Sequence, residues 1–186
     1  LLQGGSGNDV YIIDNPGDTV EEEIDGGFDR IRASISINLV QVSRFVEDVV
    51  LLRGGRIAIG NASANRLTGN AGNNILRGQG GNDVLEGRSG NDVLDGGTGF
   101  NQLIGGIGND RYVVSSSGST VIEQARQGED TVRASVSFRL SDHIERLVLL
   151  SDQDLNGRGN NVDNYILGTS GNNILRGLAG SDRLIG

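Results

Sequence analysis

The chain has 186 residues with 31 Gly, one Pro, no Cys, no Trp and only 4% aromatic residues, and its formal net charge is −8. That charge excludes a nucleic-acid surface, which needs clustered Lys and Arg; the absence of Cys excludes a disulfide framework and thiolate metal sites; and no apolar run approaches the roughly 18 residues of a membrane-spanning helix. Glycine without a three-residue period points to turns, and so few aromatics point to a thin ladder of Leu, Ile and Val in place of one large core.

Leu1 to Gln3 fit the last three places of a nine-residue frame, and Gly4 to Ile12 (GGSGNDVYI) make a complete one with Asp9 at its sixth place. A different pattern follows over residues 14–59. There Ile31, Ala33, Ile35, Ile37 and Leu39 alternate with Arg30, Arg32, Ser34, Ser36 and Asn38, which predicts a half-buried strand. The apolar run Val46 to Leu52 predicts another strand, with a short helical turn over residues 40–44 before it. From Gly60 to Val113 six frames run without insertion, opening at Gly60, Gly69, Gly78, Gly87, Gly96 and Gly105. Their sixth place holds Asn65, Asn74, Asp83, Asp92, Asn101 and Asp110. Their eighth holds Leu67, Leu76, Leu85, Leu94, Leu103 and Tyr112.

The alternation returns in residues 114–158 as Val132, Ala134, Val136, Phe138 and Leu140, then as the run Ile144 to Leu150. Three frames in residues 159–186 place Asn164, Asn173 and Asp182 in the same phase. A longer period is superimposed. GGIGNDRYV from Gly105 repeats GGSGNDVYI after 101 residues, and beyond a three-residue difference near Ser43, GTSGNNILRG from Gly168 repeats GNAGNNILRG from Gly69 after 99. The chain starts within a frame and stops on the opening Gly186 of another, which predicts a piece of a longer array.

A fixed period is the signature of a solenoid, whose units close a core only by stacking. The segments 1–13, 60–113 and 159–186 are the nonapeptide arrays, and 14–59 and 114–158 are predicted as wider rungs of the same solenoid; the alternative is a sandwich inserted between small rolls. Glycines at the first, second and fourth places let the backbone turn through left-handed conformations and bend its carbonyls inward. A carboxylate two residues after the last glycine faces them, and such an all-oxygen set suits Ca²⁺. The competing reading has the acids only solvating the surface.

If each frame is one turn and one short strand, turns on the same edge lie 18 residues apart, and ions sit between a frame and the next but one. Asp92 with Asp110 is then the richest pair of the array. Asp83 with Asn65 or Asn101, Asn74 with Asp92, and Asn164 with Asp182 each lack one charge. Asn in this phase also holds a turn without metal, the reading preferred for Asn65. Asp9 is followed 20 residues later by Asp29, and Asp110 by Asp130, one coil with two residues added. Each pair is predicted to close an ion site, so that Asp110 bridges two ions; a plain surface loop is the alternative for Asp29 and Asp130. Asp14 and Asp18 become Ser115 and Ser119 in the second copy and are poor candidates.

The frames GQGGNDVLE and GRSGNDVLD resemble the RTX, or haemolysin-type, calcium-binding nonapeptide GGxGxDxUx. The resemblance implies an all-β chain folded as a right-handed parallel β-roll, a β-helix or solenoid of short strands holding several Ca²⁺. It also implies a division of ligands, in which the earlier turn gives the carbonyls of its second and fourth places plus its Asp, and the later turn those of its first and third places plus its Asp. Carried onto this chain, Arg88, Gly90 and Asp92 face Gly105, Ile107 and Asp110; Gly5, Gly7 and Asp9 face the turn of Asp29; Gly106, Gly108 and Asp110 face that of Asp130. Around Asp83 the set is Gly78, Gly80 and Gly81 with Gly96, Thr98 and Asn101, and Gly87 and Ser89 join Asn74 and Asp92. Folding on calcium binding and bacterial type I secretion, with an extracellular location as part of a larger secreted protein, are further implications. The alternative is a polysaccharide- or surface-binding module, with outward Arg66, Arg77, Arg88, Arg111, Arg158 and Arg176 meeting an anionic polysaccharide. No enzyme is expected: serralysin-type proteases carry similar repeats, but HExxH is absent and the one histidine, His143, falls in a predicted turn.

Overall fold

Each frame spends its closing residues on a strand too short to pair with its own neighbour in sequence, so it pairs with the strand one full coil away. The computed structural model describes residues 1–43 and 45–186, and in it Arg66–Thr68, Ile75–Arg77 and Val93–Asp95 are such three-residue strands. Val84–Ser89 and Gln102–Ile107 run to six residues, on through the opening places of the following frame. Leu67 pairs with Leu85 and Leu85 with Leu103, while Leu76 pairs with Leu94 and Leu94 with Tyr112, all in parallel. Alternate strands thus go to opposite walls. Among the described residues these walls are a seven-stranded and a nine-stranded parallel sheet, flanked by sheets of two and three strands. The protein is an all-β parallel solenoid.

Period-two alternation turns one side chain per short strand inward. Leu67, Leu76, Leu85, Leu94, Leu103 and Tyr112 are all fully buried. A buried Leu contributes about 1.5–3 kcal/mol, too little for one rung to stand alone but cumulative along a stack.

Most strands of residues 14–59 and 114–158 join the same two sheets; Val20–Glu21 lies in the two-stranded sheet, and Phe138–Arg139 and Gly157–Arg158 lie in the three-stranded one. Arg30 pairs with Asp48 and Asp48 with Arg66 on one wall; Arg111 pairs with Thr131 and Thr131 with Arg146 on the other. The alternating stretch is not one strand, however. Arg30–Ala33 ends at a bend, and Ile37–Asn38 resumes in the opposite sheet; Thr131–Ala134 likewise ends at a bend, and Phe138–Arg139 resumes in the three-stranded sheet. Both Ala33 and Ile37 face the core, so inward alternation continues around the corner. The corner is held by hydroxyls: Ser36 Oγ accepts from the Ile57 N–H at 3.2 Å and Ser137 Oγ from the Asn156 N–H at 2.9 Å. The helical turn is the four-residue helix Leu39–Val42, whose N-cap Asn38 accepts from the Val40 N–H; Arg44 lies outside the described residues. The later runs form the strands Asp48–Leu51 and Arg146–Leu149. No helix among the described residues is long and apolar enough to cross a membrane.

Candidate metal centres

The residue before each strand is the sixth place of its frame, so stacking strands stacks these residues on the edges of the solenoid. One edge carries Asp9, Asp29, Glu47, Asn65, Asp83, Asn101 and Ser119, and the other carries Asn74, Asp92, Asp110, Asp130, Glu145, Asn164 and Asp182. Along each edge a backbone N–H donates to the side chain one coil ahead. Asp9 donates to Asp29 at 2.9 Å, Asp83 to Asn101 at 2.8 Å, Asp92 to Asp110 at 2.7 Å, Asp110 to Asp130 at 2.7 Å and Asn164 to Asp182 at 2.9 Å. The expected pairs are therefore neighbours. Glu47 and Glu145 extend the ladder, accepting from the Asp29 and Asp130 N–H groups, and sequence reasoning missed both. Glu47 lies 18 residues after Asp29, the offset that would have found it.

In Asp29, Asp83, Asp92, Asp110 and Asp130 one oxygen is spent on this ladder and the other has no partner. Oδ2 of Asp9, Asp29, Asp83, Asp92, Asp110 and Asp130 is buried with no hydrogen bond. Such orphans are rare and expensive in a folded chain. Desolvation pushes Asp83 and Asp110 up to about 6 and Asp92 and Asp130 up to about 7. A cation in the gaps satisfies these oxygens and removes the penalty, so the donor set fits Ca²⁺.

The carbonyls expected as ligands lie against the turn one coil away. A Cβ placed on Gly87 would stand 2.7 Å from the Gly105 carbonyl, and one on Gly106 or Gly108 would strike the carbonyls of Arg88 and Gly90. The Gly5 and Gly7 carbonyls face Gly26 and Gly27, and that of Gly108 faces Gly128. The Ile107 carbonyl accepts from the Gly90 N–H at 2.8 Å, and the Gln79 carbonyl from the Thr98 N–H at 2.8 Å, which leaves each a second lone pair. Gly80 and Ser89 close on the preceding turn through N–H bonds to the Asn61 and Asn70 carbonyls.

Glycine's role at the first place differs from the expectation. Left-handed backbone occurs at the second and fourth places, where Arg88 has φ 79° and Gly90 φ 109°. The first glycine is there for space: a side chain on Gly78, Gly87 or Gly105 would collide with the carboxylate of its own turn, and Gly96 is likewise crowded by Asn101.

Turns with Asn at both the second and sixth places close differently. The Asn70 N–H donates to Asn74 Oδ1 at 2.7 Å, and the Asn70 and Asn74 amides donate to the Gly55 carbonyl at 2.6 and 3.3 Å. Asn61 and Asn65 share the Val46 carbonyl in the same way, and Asn160 and Asn164 that of Ile144. In these turns asparagine amides take up a carbonyl of the previous coil.

Two clusters stand out where an array meets a wide rung. Ligand oxygens of Asp9, Glu22 and Asp29 lie within 4.8 Å of one another, and so do those of Asp110, Glu123 and Asp130. The Tyr11 hydroxyl donates to Glu22 and the Tyr112 hydroxyl to Glu123. Burial raises Glu22, and pushes Glu123 up to about 7. The glutamates escaped the sequence reading although they recur 101 residues apart, each 18 residues after the opening glycine of a frame. Outside the edges, His143 sits half-buried in a turn with φ 64°.

Stacked half-turns that line both edges of a parallel solenoid with buried, unpaired carboxylates and inward carbonyls define a calcium-binding β-solenoid. Residues 59–94, 86–116 and 158–186 match the RTX calcium-binding nonapeptide repeat, in four copies. These repeats belong to that family. No curated protein matches the chain. The frame from Gly4 lies outside the matched residues, yet its cluster has the same composition as that of the matched frame from Gly105.

Proposed function

We propose that the chain folds on calcium binding and serves as a structural module of a larger exported bacterial protein, with no chemistry of its own. Support comes chiefly from the row of buried carboxylate oxygens without partners along both edges. Glycine-rich turns lose much backbone entropy on ordering, and stacked carboxylates repel one another, so the fold is linked to its ions. Extracellular calcium suffices for sites of roughly 10⁻⁴ to 10⁻³ M affinity. Low cytosolic calcium would keep such a chain threadable for type I secretion, an inference from the family alone. Circular dichroism during a calcium titration, with magnesium as control, tests the folding claim. Strand signal should appear with calcium and not with magnesium; a chain equally ordered in chelator refutes it.

A second reading has one observation in its favour. Arg111, Arg146 and Arg183 stand exposed in one column of the nine-stranded sheet, where strand register brings Tyr165 between Arg146 and Arg183. Both guanidinium groups lie over its ring, at 4.7 and 5.7 Å. By contrast Arg66 and Arg88 lie beside Glu86, which offsets their charge. An anionic polysaccharide would meet the column of Arg111, Arg146 and Arg183. Binding kept in saturating calcium and lost in an Arg111→Ala, Arg146→Ala variant would support this reading over the purely structural one.

A further inference from the structure

We propose that Glu22 and Glu123 supply a third carboxylate to the two junction gaps, making these the tightest cation sites of the chain and the first to fill. The proposal rests on the calcium reading above and adds an order among the sites.

The place of these residues is the first argument. Leu2 and Gln3 pair with Val20 and Glu21, so Glu22 stands opposite Gly4; Gln102 to Ile104 pair with Thr120 to Ile122, which brings Glu123 beside the frame opened by Gly105. This is the place where the nonapeptides keep glycine because a side chain there points at the carboxylate of the turn. A glutamate at that place is aimed inward by the backbone. It is accommodated because Tyr11 and Tyr112 replace the leucine of the eighth place and offer a hydroxyl to one carboxylate oxygen.

The second argument is what remains unsatisfied. Glu22 and Glu123 are 7% and 8% exposed, and Oε2 of each is buried without a hydrogen bond, alongside the orphan Oδ2 atoms of the paired aspartates. Oxygens that share one Ca²⁺ lie at 2.3–2.6 Å from it, hence at most about 5 Å apart; the 4.8 Å spread of each cluster meets that limit. The same arrangement occurs twice, once per long period. Charge count ranks the gaps: three carboxylates at each junction, two between Asp92 and Asp110, and one where Asn faces Asp. Counting Asp92, Asp110, Glu123 and Asp130, four carboxylates face the two gaps that Asp110 joins, the charge that two divalent ions neutralise.

Terbium, which takes calcium's oxygen ligands and emits when excited through a nearby tyrosine, reads these sites selectively. The chain has three Tyr and no Trp; Tyr11 and Tyr112 touch the junction glutamates, whereas Tyr165 lies between guanidinium groups. In the unaltered chain, tyrosine-sensitised terbium emission should saturate within the first two equivalents, one per cluster, before the strand signal is complete. Added calcium should quench it by competition. Tyr112→Phe should remove the share of the second unit. Glu123→Gln should raise the terbium midpoint of the Tyr112 share of the emission about tenfold, and Glu129→Gln, the same charge change at an exposed position of that turn, should not. Emission that grows only after several equivalents in the unaltered chain, or a midpoint identical in Glu123→Gln, overturns the proposal even when calcium still induces strand. No strand signal with calcium in the unaltered chain refutes the calcium reading itself.

Discussion

Asp110 serves two neighbours at once. Its Oδ1 accepts from the Asp92 N–H, its own N–H donates to Asp130, and its Oδ2 is left among Glu123 and Asp130. Asp83 faces only amides, Asn65 on one side and Asn101 on the other. Asp110→Asn should therefore raise the calcium midpoint of folding by roughly tenfold and Asp83→Asn by only about two- to threefold. The same substitution removes a buried charge, so Asp110→Asn should also melt later than the parent in chelator. Calorimetric titration and thermal melts read the two effects, and equal shifts for both variants would mean that the Asn-flanked gap binds as well as the Asp pair. The pairing of Asp9 with Asp29 and of Asp110 with Asp130 was legible as one coil plus two residues. Glu22 and Glu123 were not, because a glutamate directly after a strand looks like surface until the tyrosine hydroxyl beside it is seen.

Single turns come in two chemistries. Those at residues 61–65, 70–74 and 160–164 are closed by asparagine amides that donate to carbonyls of the previous coil. Those ending at Asp92, Asp110 and Asp130 leave carboxylate oxygens unpaired. Removal of calcium should loosen the second kind first. Hydrogen exchange in chelator should show amides of residues 84–133 losing protection well before those of residues 48–77, and uniform loss across both would contradict the distinction. The Asn frames other than that of Asn65 read in sequence as weaker ion sites; how their amides close the turn was visible only as a general property of Asn, since it depends on Val46, Gly55 and Ile144 presenting carbonyls from 15 or more residues away. Likewise the alternating stretch after Arg30 reads as one strand because inward periodicity is the same whether a chain runs straight or turns a corner between two walls of one core.

The whole solenoid carries its acids where protons and calcium compete for them. Asp83, Asp92, Asp110, Asp130 and Glu123 all have folded-state values raised to about 6 or 7 by burial, above the roughly 4 of an unfolded chain. Between those limits the metal-free folded state binds more protons than the unfolded one, so its stability falls as pH rises through that window. Calcium must displace the same protons, so its affinity rises over the same range. In chelator the melting temperature should be higher at pH 5 than at pH 8, and in saturating calcium the order should reverse. A chelated protein that melts no lower at pH 8 than at pH 5 would show that these carboxylates are not held in the buried state described.

By itself the sequence determined the nine-residue period, the 18-residue spacing of each edge, the one inward side chain per strand and the phase that holds the acids, because all of these are local and repeat. Tertiary structure alone decided which carbonyl faces which turn, where asparagine amides close a turn and where a glutamate joins an aspartate pair. Those depend on what the coil above presents. Two walls packed on a one-residue-deep core leave the edge no freedom to turn its unpaired oxygens toward water, and that confinement converts a pattern of aspartates into candidate ion sites.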